Sequence, residues 1–170
     1  PFSVHDEVEP VYVMGDFRLE SRDKGWAILP PKELDYGSWK DQGLPFYSDA
    51  VRYSYQVRRD QKDGSLRLKL TDWNGTLAAV SVNGNQVGVL GLPPYEIEMT
   101  GLKQGRNEID IDVYGSLKNL YGPHHGNPEL GAAWPSGFLK APKQGPPPGT
   151  EYSVIDYGLF APPTLEAAKE

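Results

Sequence analysis

The sequence has 170 residues and no cysteine, and its 38% hydrophobic against 24% charged residues is the balance of a globular chain rather than a disordered one. Its 19 glycines and 16 prolines point away from a helical bundle. Because 17 basic residues stand against 23 acidic ones with no basic stripe, we expect no nucleic-acid partner, and no apolar run approaches the roughly 20 residues that a membrane span needs.

The hydrophobic pattern has a period of two along much of the chain, which is typical of half-buried strands. The clearest case is the segment 51–58, where one face carries Val51, Tyr53, Tyr55 and Val57. In chain order, strands are predicted at residues 11–20, 51–58, 66–70, 77–82, 86–90, 95–99, 109–113 and 152–160. Strands at this spacing, with no helices between them, predict a single antiparallel all-β domain over residues 1–170.

Turn residues separate the predicted strands. Asn83-Gly84 is the strongest hairpin signal, because both residues tolerate a positive φ. Two long stretches, 21–48 and 115–150, combine aromatic residues with proline and glycine and are predicted as loops, whereas residues 164–170 form the one helical-looking segment. These features predict a β-sandwich, with a jelly roll preferred over an up-and-down barrel.

Three motifs in the middle of the chain carry a resemblance to a known family. They are Val82-Asn83-Gly84, Leu102-Lys103-Gln104-Gly105-Arg106-Asn107 and Gly43-Leu44-Pro45-Phe46-Tyr47-Ser48. This part of the chain, about residues 39–125, resembles the sugar-binding-type jelly-roll domain of family 2 glycoside hydrolases and the related β-sandwiches of other bacterial polysaccharide-degrading enzymes. The segment 116–125 is similar to a motif found in large gut-bacterial glycosidases.

The resemblance implies a galactose-binding-like topology and a non-catalytic accessory module of a glycan-degrading enzyme. It also implies an oligo- or polysaccharide ligand, a covalently linked catalytic domain as partner, and an extracellular or periplasmic location in a bacterium. The first residue is Pro1 rather than methionine, so we expect a piece of a longer polypeptide. The alternative is a structural sandwich that braces the catalytic domain without binding sugar.

Catalysis by the chain itself is a third reading. A glycosidase needs two carboxylates roughly 5–10 Å apart, one of them with a raised pKa. The acidic residues mostly alternate outward on predicted strands, as Glu108, Asp110 and Asp112 do, and no pair of acid and nucleophile stands out. We therefore expect no enzymatic activity, and a hydrolase or lyase remains the alternative.

Aromatic residues in the predicted loops carry the binding hypothesis. Sugar rings present apolar C–H faces to aromatic side chains, while polar groups bind the hydroxyls. The candidate ligand-binding residues are Trp26, Asn119, Tyr121, His124, His125 and Trp134. The competing interpretation is that these side chains pack within their loops or against a linked domain.

Metal ligands are sparse in the sequence. His124 and His125 point in opposite directions in an extended chain, and with one other histidine, His5, and no cysteine a zinc site is not expected. Jelly-roll carbohydrate-binding domains often hold a structural calcium ion, and the candidate ligands here are Glu7, Glu9 and Asp156. The expected function requires no cofactor.

Overall fold

The computed structural model describes residues 13–60, 65–121, 146 and 148–167. The described residues form eleven strands, the helix α1 (Lys118–Tyr121) and one 3₁₀ turn (Gly149–Glu151). In chain order the strands are β1 (Arg18–Ser21), β2 (Trp26–Leu29), β3 (Ala50–Arg59), β4 (Leu66–Lys69), β5 (Trp73–Asn74), β6 (Leu77–Val82), β7 (Asn85–Leu90), β8 (Glu96–Glu98), β9 (Gly105–Tyr114), β10 (Gly158–Leu159) and β11 (Thr164–Ala167). Within these ranges, no helix has the length and apolar character to cross a membrane.

Two antiparallel sheets form the body of the protein. The larger sheet has four strands in the order β3-β9-β6-β7, and the smaller has three in the order β11-β4-β8. The hairpin β1–β2 and the pair β5–β10 are separate two-stranded sheets. All of these pairings are antiparallel, as the alternating sequence pattern predicts.

The hydrophobic core is built from alternate residues of the strands, because successive side chains of a strand point to opposite faces. The four-stranded sheet contributes the buried side chains Ala78, Val80, Val82, Ile109, Ile111 and Val113. Leu68, Leu70 and Met99 are the buried residues on and beside the smaller sheet. Tyr53 and Tyr55, on the inward face of β3, pack against this core. The predicted all-β antiparallel sandwich is therefore confirmed.

Two asparagines from the sequence motifs join the β6–β7 hairpin to the start of β9. Asn83 and Gly84, with φ values of 51° and 81°, adopt the left-handed conformation expected of the hairpin turn. Asn83 Nδ2 donates to Asn107 Oδ1 at 3.0 Å. Asn107 is buried, and its amide both accepts from the N–H and donates to the carbonyl of Lys103, each at 2.8 Å. These motifs therefore specify the fold.

The helix predicted for residues 164–170 is wrong. Thr164–Ala167 is strand β11, which pairs with β4 and packs Leu165 against the core. So short a helix is marginal by itself, and pairing with β4 gives this segment hydrogen bonds and apolar contacts that an isolated turn lacks. Residues 168–170 lie outside the described residues.

Three further elements are shorter or differently placed than predicted. Of the strand predicted at 152–160 only Gly158–Leu159 forms, because it finds a partner only in β5. In the described part of the segment 11–20, a strand begins at Arg18. The predicted loop 21–48 contains β2, since Trp26–Leu29 pairs with β1.

The segment that follows β2 is anchored on the sandwich by Trp39, which is buried. Its main-chain N–H donates to the Tyr157 carbonyl at 2.8 Å, and its Nε1 donates to the Tyr53 hydroxyl at 2.9 Å. Leu44 N–H donates back to the Trp39 carbonyl at 2.8 Å, which closes a tight turn. This turn holds Gly43 against the hairpin β1–β2.

Candidate functional site

Two adjoining clefts open along the hairpin β1–β2. The first cleft, of about 1060 Å³, is lined by the hairpin and residues 42–49, and the second, of about 540 Å³, by the hairpin and residues 149–154. Small-molecule sites have volumes of about 300–1000 Å³, so both clefts are of ligand-binding size. The residues that line both clefts, here called the junction, are Arg18, Leu19, Trp26, Lys32, Gln42, Gly43 and Tyr152.

Gly43 lets the hairpin approach the turn that follows Trp39. The N–H of Leu19 donates to the Gly43 carbonyl at 2.8 Å. A β-carbon at Gly43 would lie 2.7 Å from Arg18 Cβ, and its φ of 95° favours glycine. This close approach fixes the wall of the first cleft and the point from which the Arg18 side chain starts.

The 3₁₀ turn Gly149–Glu151 packs against the other side of the hairpin. The N–H of Gly149 donates to the Arg22 carbonyl at 3.0 Å. A β-carbon at Gly149 would lie 2.5 Å from Ser21 Oγ and 2.9 Å from Ser21 Cα, so glycine alone fits this contact. Tyr152 follows the turn directly and reaches the junction.

Trp26 is the aromatic centre of the junction. Its ring lies edge-on to Phe46, with centroids 5.4 Å apart, and to Tyr152, with centroids 5.7 Å apart. These edge-to-face contacts fix the orientation of the indole. Its Nε1 is buried and has no hydrogen-bond partner among the described residues, a state it shares with Nε1 of Trp73, which lines neither cleft. Because buried polar groups are ordinarily hydrogen-bonded, an unpartnered indole N–H is unusual, but its burial keeps it from the surface of the clefts.

The polar groups of the junction are mostly donors. Arg18 and Lys32 form no ion pair with another residue of the described chain. The Gln42 side chain is bonded to the backbone of Asp35. Its Oε1 accepts from Asp35 N–H at 2.7 Å, and its Nε2 donates to the Asp35 carbonyl at 3.0 Å. Burial raises the pKa of Tyr152, so its hydroxyl is neutral at physiological pH.

Three of the predicted ligand-binding residues lie within the described residues. Trp26 lies at the junction. Asn119 is buried, and its amide donates to the Ile155 carbonyl at 2.8 Å and accepts from Ile155 N–H at 2.7 Å. Tyr121 is 61% exposed at the end of α1. Leu120, between them, lines the first cleft, which Asn119 and Tyr121 do not. Their role in ligand binding stays a prediction.

Asp156 is the described member of the predicted calcium site. Its Oδ1 accepts from Ser38 Oγ at 2.8 Å and from Lys40 Nζ at 2.9 Å. Burial raises the pKa of this carboxyl, but the hydrogen bonds from Lys40 and Ser38 and the charge of Lys40 outweigh burial, so the pKa is lowered. In the part of the chain that is described, no group of three or more histidine or acidic side chains could hold a metal ion. Calcium binding stays a prediction.

The other predicted site residues lie outside the described residues. They are Glu7, Glu9, His124, His125 and Trp134. The sequence prediction in turn missed Arg18, Lys32, Phe46 and Tyr152. Phe46 stands in a family motif and Tyr152 in a predicted strand, so neither carried a signal for binding. Their contacts with Trp26 join segments that are distant in the sequence.

Comparison with known proteins finds similarity at the level of structure. No protein-family model matches the chain, and no curated protein sequence matches it. A rhamnosidase from Novosphingobium sp. PP1Y is similar over 96% of this chain, with 24% identity and a TM-score of 0.50. A GH2 β-galacturonidase from Eisenbergiella tayi is similar over 88% of it, with 17% identity and a TM-score of 0.44. A β-D-mannosidase from Dictyoglomus thermophilum is similar over 90%, with 16% identity and a TM-score of 0.43.

The chain spans a minor part of each of these proteins, namely 16% of the rhamnosidase and 22% of each of the other two. The likeness at a TM-score of 0.50 shows that its fold is similar to that of a portion of the rhamnosidase. At 24% identity the likeness to the rhamnosidase shows a shared fold alone, because one fold can carry many unrelated sites.

Proposed function

We propose that this chain is a non-catalytic carbohydrate-binding module of an extracellular or periplasmic glycan-degrading enzyme, and that it binds glycan in the two clefts along hairpin β1–β2. The observation that carries the proposal is Trp26, a half-buried indole that lines both clefts and is held by ring contacts with Phe46 and Tyr152. An aromatic surface with nearby polar groups is the arrangement that recognises a sugar ring and its hydroxyls.

The arrangement of the clefts favours an oligo- or polysaccharide over a monosaccharide. Both clefts are lined by Trp26, and their volumes are about 1060 and 540 Å³. A ligand that fills both clefts is therefore a chain of several sugar units that passes the indole.

A second candidate function, bracing of a covalently linked catalytic domain, is favoured by an apolar rim on the first cleft. Val13, Met14 and Ile28 line this cleft and are largely exposed, with Met14 at 91%. Exposed apolar groups that lie together are typical of surfaces that pack against another domain. In that case the clefts would be covered by the catalytic domain, and the isolated chain would bind no glycan.

The proposal predicts that Trp26→Phe weakens glycan binding while Trp73→Phe does not. Both changes remove a buried, unpartnered indole N–H and shrink an aromatic ring that lies edge-on to a tyrosine, but only Trp26 lines the clefts. Loss of roughly 1 kcal/mol of contact corresponds to a roughly fivefold weaker Kd. Affinity electrophoresis on a polysaccharide panel identifies the ligand, and titration calorimetry then gives Kd for each variant.

Thermal unfolding of both variants provides the control for folding. Equal weakening by Trp26→Phe and Trp73→Phe would show a general loss of structure, and an unchanged Kd in Trp26→Phe would remove the junction from the binding site. The absence of binding by the unmodified chain to every glycan would favour the bracing function.

A further inference from the structure

The charged side chains of the junction are both cationic. They are the guanidinium of Arg18 and the ammonium of Lys32, which are donors only and form no ion pair within the described chain. The Nε1–H of Trp26 is buried, and Tyr152 adds a hydroxyl that can donate and accept. The amide of Gln42, which could have supplied an acceptor, is bonded to the backbone of Asp35. Among the described side chains that line both clefts there is no carboxylate.

Such a set differs from that expected for neutral sugars. A sugar hydroxyl both donates and accepts, so sites for neutral sugars combine donors with carboxylate or amide acceptors. Two cations without a carboxylate beside them instead fit a group that only accepts and carries negative charge. The carboxylate of a uronic acid and a sulfate ester are two such groups that glycans carry.

Both cations line the same two clefts as Trp26, one from the hairpin and one from the segment that follows it. The stem of Arg18 packs on Gly43, since a β-carbon there would lie 2.7 Å from Arg18 Cβ and 3.4 Å from Arg18 Cγ. Lys32 follows strand β2 and is exposed. In contrast Lys40, which lines the second cleft alone, is already paired with Asp156 at 2.9 Å.

Acidic side chains also line the clefts, but each of them lines one cleft only. The first cleft has Asp16 and Asp49, and the second has Glu20, Glu33 and Asp41. Glu20 is paired with Arg22 at 2.5 Å, and Asp49 Oδ1 accepts from Ala50 N–H at 2.8 Å. The charged side chains that line both clefts are therefore the two cations Arg18 and Lys32.

We propose that the module selects acidic glycans, with a carboxylate or sulfate group of the bound chain held at the junction by Arg18 and Lys32. This inference rests on the proposed carbohydrate binding and adds the chemical class of the ligand. Neutral sugar units of the same chain would donate their hydroxyls to the carboxylates that line one cleft each.

The test compares glycans that differ only in charge. Galacturonan oligosaccharides with free carboxylates are titrated against the same oligosaccharides with methyl-esterified carboxyls, and sulfated galactan oligosaccharides against their desulfated form. A neutral panel of glucans, mannans and xylans is titrated alongside. The carboxylate and sulfate arms distinguish the two sources of the anionic group.

Three variants test whether the preference for a charged glycan over its neutralised partner depends on the junction. Arg18→Gln and Lys32→Gln each remove one cation from the junction, and Lys69→Gln removes one from strand β4, away from both clefts. We expect the unmodified chain to bind one charged form at least tenfold more tightly than its neutralised partner. Arg18→Gln and Lys32→Gln should each reduce that preference by about three- to fivefold, and Lys69→Gln should leave it unchanged.

The outcomes separate the inference from the proposed function. Equal affinity for a charged glycan and its neutralised partner, or binding confined to the neutral panel, overturns the inference and leaves carbohydrate binding standing. Equal effects of Lys69→Gln and Arg18→Gln also overturn it, because the junction would then play no special part. Binding to none of these glycans overturns the proposed function and the inference together.

Discussion

Asp156 and Asn119 are single polar side chains that tie distant segments of the chain together. The Asp156 carboxylate accepts hydrogen bonds from Ser38 Oγ and Lys40 Nζ. Its main-chain carbonyl accepts from Asn74 Nδ2 at 2.6 Å. The Asn119 side-chain amide is hydrogen-bonded to both the N–H and the carbonyl of Ile155. The segment that carries Tyr152 to the junction is thus fixed by bonds to three other parts of the chain.

The lowered pKa of Asp156 predicts a specific pH dependence of stability. Because the folded-state pKa lies below the unfolded value of about 3.9, the stabilising contribution is complete above that value and is lost as the pH falls through the folded-state pKa. Asp156→Asn should lower the free energy of unfolding at pH 7 by less than about 1 kcal/mol, since the side chain is 49% exposed.

Urea unfolding of the unmodified chain and of Asp156→Asn at pH 7, 5 and 3 measures this contribution. The difference between the two proteins should be largest at pH 7 and should shrink toward pH 3. A difference that grows on acidification would show that the carboxylate destabilises the folded chain, contrary to the hydrogen bonds from Lys40 and Ser38.

The hairpin β1–β2 is the element on which the candidate site depends. It lies outside the two main sheets and is held by hydrogen bonds to Gly43 on one side and to the 3₁₀ turn Gly149–Glu151 on the other. Both contacts are backbone approaches that leave no space for a β-carbon. The shape of the clefts therefore depends on the close contacts at Gly43 and Gly149.

Gly149→Ala is predicted to displace the hairpin. The new β-carbon would lie 2.5 Å from Ser21 Oγ and 2.9 Å from Gly25 O and Ser21 Cα, and the backbone atoms cannot yield as a flexible side chain can. We expect a loss of about 1–3 kcal/mol in stability together with weaker glycan binding. Thermal unfolding and titration calorimetry measure the two effects.

Gly91→Ala is the matched control, because its nearest neighbours, Leu77 Cβ and Thr76 O, would be 3.9 Å from the new β-carbon. Its stability should change by less than about 0.5 kcal/mol, and its glycan affinity should not change. A Gly149→Ala variant that matches this control in both measurements would contradict the close contact between hairpin and turn.

At the scale of elements, the sequence predicted the strands in which apolar and polar residues alternate regularly. In β6 and β9 the alternation is long, and burial of one face fixes the strand whatever else surrounds it. Strand β2 was missed because it lies in a stretch rich in proline and glycine, and β11 because its segment looked helical, whereas the equally short β4 was predicted from its alternating leucines. Their conformation is decided by partners, β1 and β4, that pattern alone does not reveal.

At the scale of the whole molecule, the fold was predictable and the site only in part. Trp26 was predicted because an aromatic residue in a stretch of prolines and glycines has no alternation to explain it. Its neighbours Phe46 and Tyr152 were not predicted, since the cleft forms only when three distant segments meet. The cations Arg18 and Lys32 were likewise not predicted, because only the folded chain places them on one surface with Trp26.

The central claim is that the chain binds glycan at the junction. The most direct test is affinity electrophoresis of the unmodified chain and of Trp26→Ala on plant, algal and microbial polysaccharides, with and without calcium. The account predicts that at least one glycan retards the unmodified chain and that Trp26→Ala, still folded by circular dichroism, migrates without retardation. Retardation of both proteins alike, or of neither, would contradict it.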